Sequence, residues 1–299
     1  MPPDPSVALP PAARPKWVAL STWAAQAGLP APVRVGKDVF QIQSPAGAFQ
    51  LAAGTRVASW NGIKFHLGFA LAVTNGVPFI HSLDADKNLM PLTQVNRPVP
   101  RGRGVIVLDP GHGGTDNGTK SVLGNFFEKD YALDWARRLK PLLEARGWRV
   151  VLTRDSNRPV ELGERVLIAQ REQADLFISL HFNSANAGAM GLETFCLTPA
   201  GMPSTLLRGP EENNIFHPNN AQDFGNQHLA MRVHRSLLQT TGMADRGVRR
   251  ARFMAVLKNQ QRPAILIEGG YITDRNEAKL IASPEYRQKL ALGVARALE

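Results

Sequence analysis

Val105-Ile106-Val107-Leu108-Asp109-Pro110-Gly111-His112-Gly113-Gly114-Thr115-Asp116-Asn117-Gly118 is the stretch on which the fold turns. Its first four residues are apolar and mostly β-branched, which reads as a strand buried on both faces; Pro110 and the glycines end it abruptly. His112 is thereby placed on a loop just past the C-terminal end of a strand, where open α/β sheets hold their ligands. The glycines leave room for a metal, a ligand or another backbone to come close, and an imidazole there suits metal binding or acid–base chemistry.

Further elements repeat the pattern. Asp175-Leu176-Phe177-Ile178-Ser179-Leu180-His181 is a second buried-type strand ending on a histidine, and Ala264-Ile265-Leu266-Ile267-Glu268 is a third ending on a carboxylate. Glu128 opens an amphipathic helix in which Tyr131, Trp135, Leu139, Leu142 and Leu143 recur at helical spacing and Arg146-Gly147 forms the stop. Two imidazoles and one carboxylate with a fourth position open form a recurrent catalytic zinc set. A second glutamate nearby would then be the base.

At this point the chain resembles the zinc-dependent N-acetylmuramoyl-L-alanine amidases of bacterial cell walls. The resemblance runs in order from about Gly104 to Glu299. It takes in DPGHGGTDNG, Glu128-Lys129, Thr153-Arg154-Asp155, Leu162-Gly163-Glu164-Arg165, ADLFISLHFNSA, Gly191-Leu192-Glu193-Thr194-Phe195, Asn226 to Ala230, Arg246-Gly247-Val248, ARFMAVL and ILIEGGYITDRNEAKLI. It implies that His112, Glu128 and His181 hold one zinc per chain and that Glu268 is the catalytic glutamate. The implied substrate is the amide between N-acetylmuramic acid and L-alanine of peptidoglycan. Two positions depart from the family pattern: Phe182, where a smaller residue is usual, and Gly269, where threonine is common.

Alternating strand and helix signals continue, with a strand at 149–152 and helices at 161–173, 226–240 and 288–298. They imply an α/β fold: a mixed, mostly parallel sheet with helices on both faces, of the phosphorylase/hydrolase-like kind. Residues 198–225, rich in Pro and Gly, interrupt this alternation and are expected to form a groove wall or lid. His217 falls within them. His228 and His234 follow on a helix as packing or surface residues.

The remaining chain divides into a proline-rich tail (1–15), a small α+β module (16–95) and a Pro/Gly/Arg linker (96–103), ahead of the catalytic segment 104–299. In the module, Ser21 is expected to cap a short helix ending at Gly28, and strands are expected at 39–42, 49–51, 57–60, 64–67 and 71–73. The pattern is similar to the N-terminal module of copper amine oxidases. That implies attachment or positioning, with His66 and His81 structural.

Composition limits the alternatives. The 299 residues carry 35 Lys and Arg against 25 Asp and Glu, a formal charge of +10. The basic residues are scattered and no nucleic-acid fold signature is present, so an anionic cell wall or membrane surface is the expected polyanion. No apolar run is long enough to span a bilayer. Cys196 is the sole cysteine, a core thiol by its neighbours. Met1-Pro2-Pro3-Asp4-Pro5 shows no export signal, whereas the resemblance implies a periplasmic or extracellular place in the envelope, so a signal is expected to be missing from this chain. A monomer is expected. The competing readings are a zinc peptidase of related fold and a wall-binding protein without activity.

Overall fold

The computed structural model describes residues 16–94, 104–185, 188–207 and 209–299. The expected tail and linker lie outside them. The module contributes β1 (Trp17–Ala19), α1 (Leu20–Gln26), β2 (Val33–Arg34), β3 (Val39–Ser44), β4 (Gly47–Ala52), β5 (Val57–Trp60), β6 (Ile63–His66), β7 (Ala72–Thr74) and β8 (Val77–His81), then the helical turns α2 (Ser82–Asp84) and α3 (Met90–Thr93) around a π-turn. The catalytic segment follows with β9 (Val105–Pro110), α4 (Glu128–Glu144), β10 (Arg149–Leu152), α5 (Leu162–Arg171), β11 (Leu176–Asn183), β12 (Leu192–Cys196), α6 (Asp223–Thr241), β13 (Asp245–Arg250), α7 (Ala255–Lys258), β14 (Ala264–Tyr271), α8 (Arg275–Ala282) and α9 (Pro284–Ala297).

One sheet of 11 strands runs in the order β10-β9-β11-β14-β12-β13-β6-β5-β4-β3-β2. Its catalytic half is parallel except that β12 runs antiparallel to β14. Successive side chains of a strand leave opposite faces, and the core shows this directly. Ile106, Leu108, Ile178, Leu180, Ile265 and Ile267 enter one cluster with Trp135 of α4, Val233 of α6 and Leu290 of α9. Val107, Phe177 and Leu266 enter the other with Ile168 of α5 and Leu257 of α7. Helices thus cover both faces, as the alternation predicts.

Ser21 does not cap α1; the helix begins at Leu20, with Ala19 at the cap position and no side-chain cap. β13 is a strand in the middle of the sheet that the sequence does not advertise. Among the described residues of 198–217 there is no helix or strand, and a short 3₁₀ turn, Pro218–Gln222, leads into α6.

The module is not held apart from the enzyme. β6 pairs parallel with β13 through Val248 and Phe65, and Phe40, Phe49 and Phe65 belong to the same core cluster as Val248 and Leu192. His66 Nε2 meets Arg246 O at 3.1 Å, a structural role. Arg250, 1% exposed, reaches Asn88 Oδ1 from Nη2 at 3.0 Å and Lys87 O at 3.0 Å. A linker in the sequence does not imply a gap in space when a strand on either side completes the other's ladder. The full chain should melt in one cooperative calorimetric transition. Arg250→Ala should lower its Tm, because the polar groups left unmatched cost about 1–3 kcal/mol. Two well-separated transitions would contradict this coupling.

Candidate metal centre

The strand register assembles the site. His181 on β11 is the Cα partner of Glu268 on β14, and residues so paired point to the same side of a sheet. Both follow the parity of Phe177 and Leu266 and so face α5 and α7. His112 arrives from the loop after β9, the neighbour of β11 on its other side. Glu128 is the first residue of α4, preceded by Phe127 in extended conformation.

The four groups do not stand alike. Glu128 Oε1 lies 3.1 Å from His112 Nε2 and 2.8 Å from His181 Nδ1, and the two imidazole rings meet edge-to-face at 5.0 Å. One donor atom from each of His112, Glu128 and His181 lies within 4.8 Å of the others. Main-chain N–H groups of Phe182 and Thr119 donate to the two Glu128 oxygens at 3.1 and 3.0 Å. Burial opposes ionisation of Glu128, yet hydrogen bonds from both imidazoles hold its carboxyl well below the usual carboxylate range. Burial likewise opposes protonation of His112, but its contacts with Glu128 and Asp116 raise its pKa. Glu268 is buried, and it lines the adjoining hollow with His112 and His181.

Asp116 is the member that the sequence reading did not single out. Its Oδ2 lies 2.8 Å from His112 Nδ1. A carboxylate there holds the proton on Nδ1 and leaves Nε2 free to coordinate, the usual support for a metal-binding imidazole. The signal was present as an acid four residues after the histidine. Two glycines of the motif are required by close approach. A Cβ on Gly111 would fall 2.2 Å from His181 Cε1, and one on Gly118 would fall 2.6 Å from His112 Cδ2.

Two adjoining hollows of about 320 and 280 Å³ flank the cluster. Leu162 and Val256 border both. Thr119, Asn183, Ser184, Phe253 and Met254 are among the residues that line the second. Among the described residues none from 198–225 lines either hollow. Arg252 instead binds Met202 O and Asn213 O at 2.7 and 3.0 Å, and Arg56 of the module binds Ser204 O at 3.0 Å. The expected groove wall is thus packed against the module. His217 caps the 3₁₀ turn, and His234 is buried between Thr194 and Asp245.

A cleft at the strand ends, with two imidazoles and a carboxylate converging beside a second carboxylate, defines a hydrolase built around a group that could hold a metal. Residues 106–299 match the family model of N-acetylmuramoyl-L-alanine amidase, and the chain belongs to that family, whose members cleave peptidoglycan. It is 30% identical over 217 residues to the amidase AmiA of Escherichia coli, covering 65% of this chain and 74% of that protein. It is 30% identical over 213 residues to an uncharacterized cell wall amidase of Bacillus anthracis, of which it spans only 36%. Among solved structures, AmiC2 of Nostoc punctiforme is 34% identical with a TM-score of 0.55, covering 67% of this chain and 97% of that one. An amidase from Clostridium difficile 630 is 30% identical at 0.56, with 66% and 95% covered.

The two positions singled out in the sequence, Phe182 and Gly269, meet in space. Phe182 and Gly269 follow the parity of the α4/α9 face. A Cβ on Gly269 would lie 2.9 Å from both Phe182 Cε1 and Trp135 Cζ3, and the Phe182 and Trp135 rings are 5.6 Å apart. The larger residue at 182 thus takes the volume that 269 gives up. Gly269→Thr alone should destabilise by about 1–3 kcal/mol through overpacking, and Phe182→Ala by about 3–5 kcal/mol. The double variant should fall short of the summed loss by about 0.5–3 kcal/mol. Additive denaturation midpoints would show that the pair does not share a space.

Proposed function

We propose that this chain is a zinc-dependent N-acetylmuramoyl-L-alanine amidase that hydrolyses the amide between the lactyl group of N-acetylmuramic acid and L-alanine. One observation carries the reading: His181 and Glu268 are register partners on one face, and Glu128 lies 2.8 Å from His181 Nδ1. His112, Glu128 and His181 would hold one zinc per chain. Two imidazoles and a carboxylate suit that ion better than magnesium, which favours an all-oxygen shell. When bound, zinc supplies Lewis acidity, easing loss of a proton from water and polarising an amide carbonyl.

The chain's own residues do the rest. Glu268 accepts the proton of the attacking water and delivers it to the leaving amine of L-alanine. Asp116 keeps His112 in the tautomer that presents Nε2. Leu162, Phe253 and Met254 form an apolar wall that keeps bulk water from part of the cleft. The module is an attachment or positioning element for the wall polymer, and the net charge of +10 favours the anionic envelope over a neutral partner. Periplasmic or extracellular action as a monomer follows from this reading. Among the described residues, no helix is long and apolar enough to cross a membrane.

Glu268→Ala should keep one zinc per chain and lose hydrolysis by about 10²-fold or more. His181→Ala should lose the metal with the fold intact. Metal analysis and mass spectrometry of muropeptide digests read both. Zinc lost from the Glu268 variant but kept in a Glu128→Ala variant would exchange the two glutamates, and products cut elsewhere in the stem peptide would favour a peptidase.

A further inference from the structure

The loop that carries His112 has a support that the reaction does not use. Its three consecutive main-chain carbonyls, at Pro110, Gly111 and His112, all accept hydrogen bonds from two buried guanidiniums. Arg154 donates from Nε to Pro110 O at 3.0 Å and from Nη2 to Gly111 O at 2.7 Å. Arg165 donates from Nη1 to Pro110 O at 2.9 Å and from Nη2 to His112 O at 2.8 Å. Arg154 Nη2 also reaches Lys129 O at 2.7 Å, one residue beyond Glu128. A single planar side chain therefore ties the histidine loop to the first turn of the helix that presents the glutamate.

The arrangement is costly, and that is informative. Arg154 and Arg165 are 1% and 4% exposed. Arg165 has Asp109 as a counter-ion at 2.6 Å, and Asp109 is itself held by Thr153 and Ser179 at 2.7 and 2.8 Å. The hydrogen bonds of Arg154 end on the carbonyls of Pro110, Gly111, Lys129 and Ser156. Burying a cation whose hydrogen bonds end on carbonyls is a poor way to gain stability, since an apolar side chain of similar volume avoids the desolvation cost. What the guanidinium adds is five N–H groups in a rigid plane, which lysine cannot reproduce.

The backbone shows what is being held. His112 has φ of 62°, in the left-handed region, which costs a residue with a Cβ roughly 1–2 kcal/mol. Its carbonyl is one of the three that are gripped. Released, the loop would relax toward an ordinary conformation and swing the imidazole away from Glu128.

We propose that Arg154 and Arg165 are positioning residues of the metal centre, holding His112 in its left-handed conformation and fixing its spacing from Glu128 so that the ion meets preformed donors. The proposal rests on the ligand set argued above. Arg165 acts on His112 alone, whereas Arg154 acts on the distance between two ligand-bearing segments.

The test is the zinc affinity of the full-length apo-protein, by competition with a chromophoric chelator, with the melting temperature of each apo-sample measured alongside. Arg154→Lys and Arg165→Lys keep the charge and lose the fork. Each should bind zinc about 10–100-fold more weakly, the usual effect of removing an outer support of a ligand, while remaining folded at the assay temperature. Arg250→Lys, in the module joint, should lower the melting temperature without changing zinc affinity. If Arg154→Lys does not fold, Arg165→Lys decides alone. Wild-type zinc affinity in a folded Arg165→Lys variant, with His181→Ala metal-free, overturns the proposal and leaves the ligand reading standing. Full zinc in His181→Ala overturns the ligand reading and the proposal with it.

Discussion

The rest of the structure depends on the register between β11 and β14. With His181 opposite Glu268, an imidazole and a carboxylate share one face at the end of the sheet. A slip of one residue would send Glu268 into the apolar layer under α4 and α9. That slip is opposed by the cost of burying a carboxylate among apolar side chains without a partner, while Ile265, Leu266 and Ile267 bury the strand on both faces. Packing of residues that never meet the substrate thus places those proposed to act on it.

The sequence made the catalytic half legible because parallel strands buried on both faces are near-continuous apolar runs, and the runs of β9, β11 and β14 lead into Asp109, His181 and Glu268. Glu128 was readable for a different reason, as the first residue of a long amphipathic helix. What was not legible lies where the partner sits far away in sequence. β13, Asp-Arg-Gly-Val-Arg-Arg, reads as surface, yet it lies between β12 and β6. Its arginines are matched by Glu193, Asn88 and main-chain carbonyls, none of which a local pattern reveals. Arg154 and Arg165 stood in recognisable segments, but nothing local says that their targets are three carbonyls more than 40 residues upstream. Ser21 misled in the opposite way: a good capping residue was present, and the helix started before it.

The interrupted segment 198–225 shows how composition bounds structure without assigning place. Its prolines and glycines exclude helices and strands among the described residues of 198–217, but loops of this kind serve equally as lids or as fillers. Here the anchoring residues decide. Arg56 comes from the module and Arg252 from the residues after β13, and both bind main-chain carbonyls of the segment. The segment fills the angle between module and enzyme, on a side that leaves the hollows beside His112 open.

That joint bears on the proposed chemistry through Glu193. It is the register partner of Glu268 on the other side of β14, so two acidic side chains stand directly opposite one another, and like charges so placed repel unless one is paired. Arg246 and Arg249 contact Glu193 Oε1 at 2.9 and 2.8 Å, and Tyr271 and Asn183 donate to Oε2 at 3.0 and 2.7 Å. Both arginines come from β13. Without β6 beside it β13 would be an edge strand, the kind most prone to fray or to pair wrongly. By covering that edge the module steadies the strand whose arginines pair with Glu193, and so steadies the electrostatic surroundings of Glu268 although none of its described residues lines the cleft.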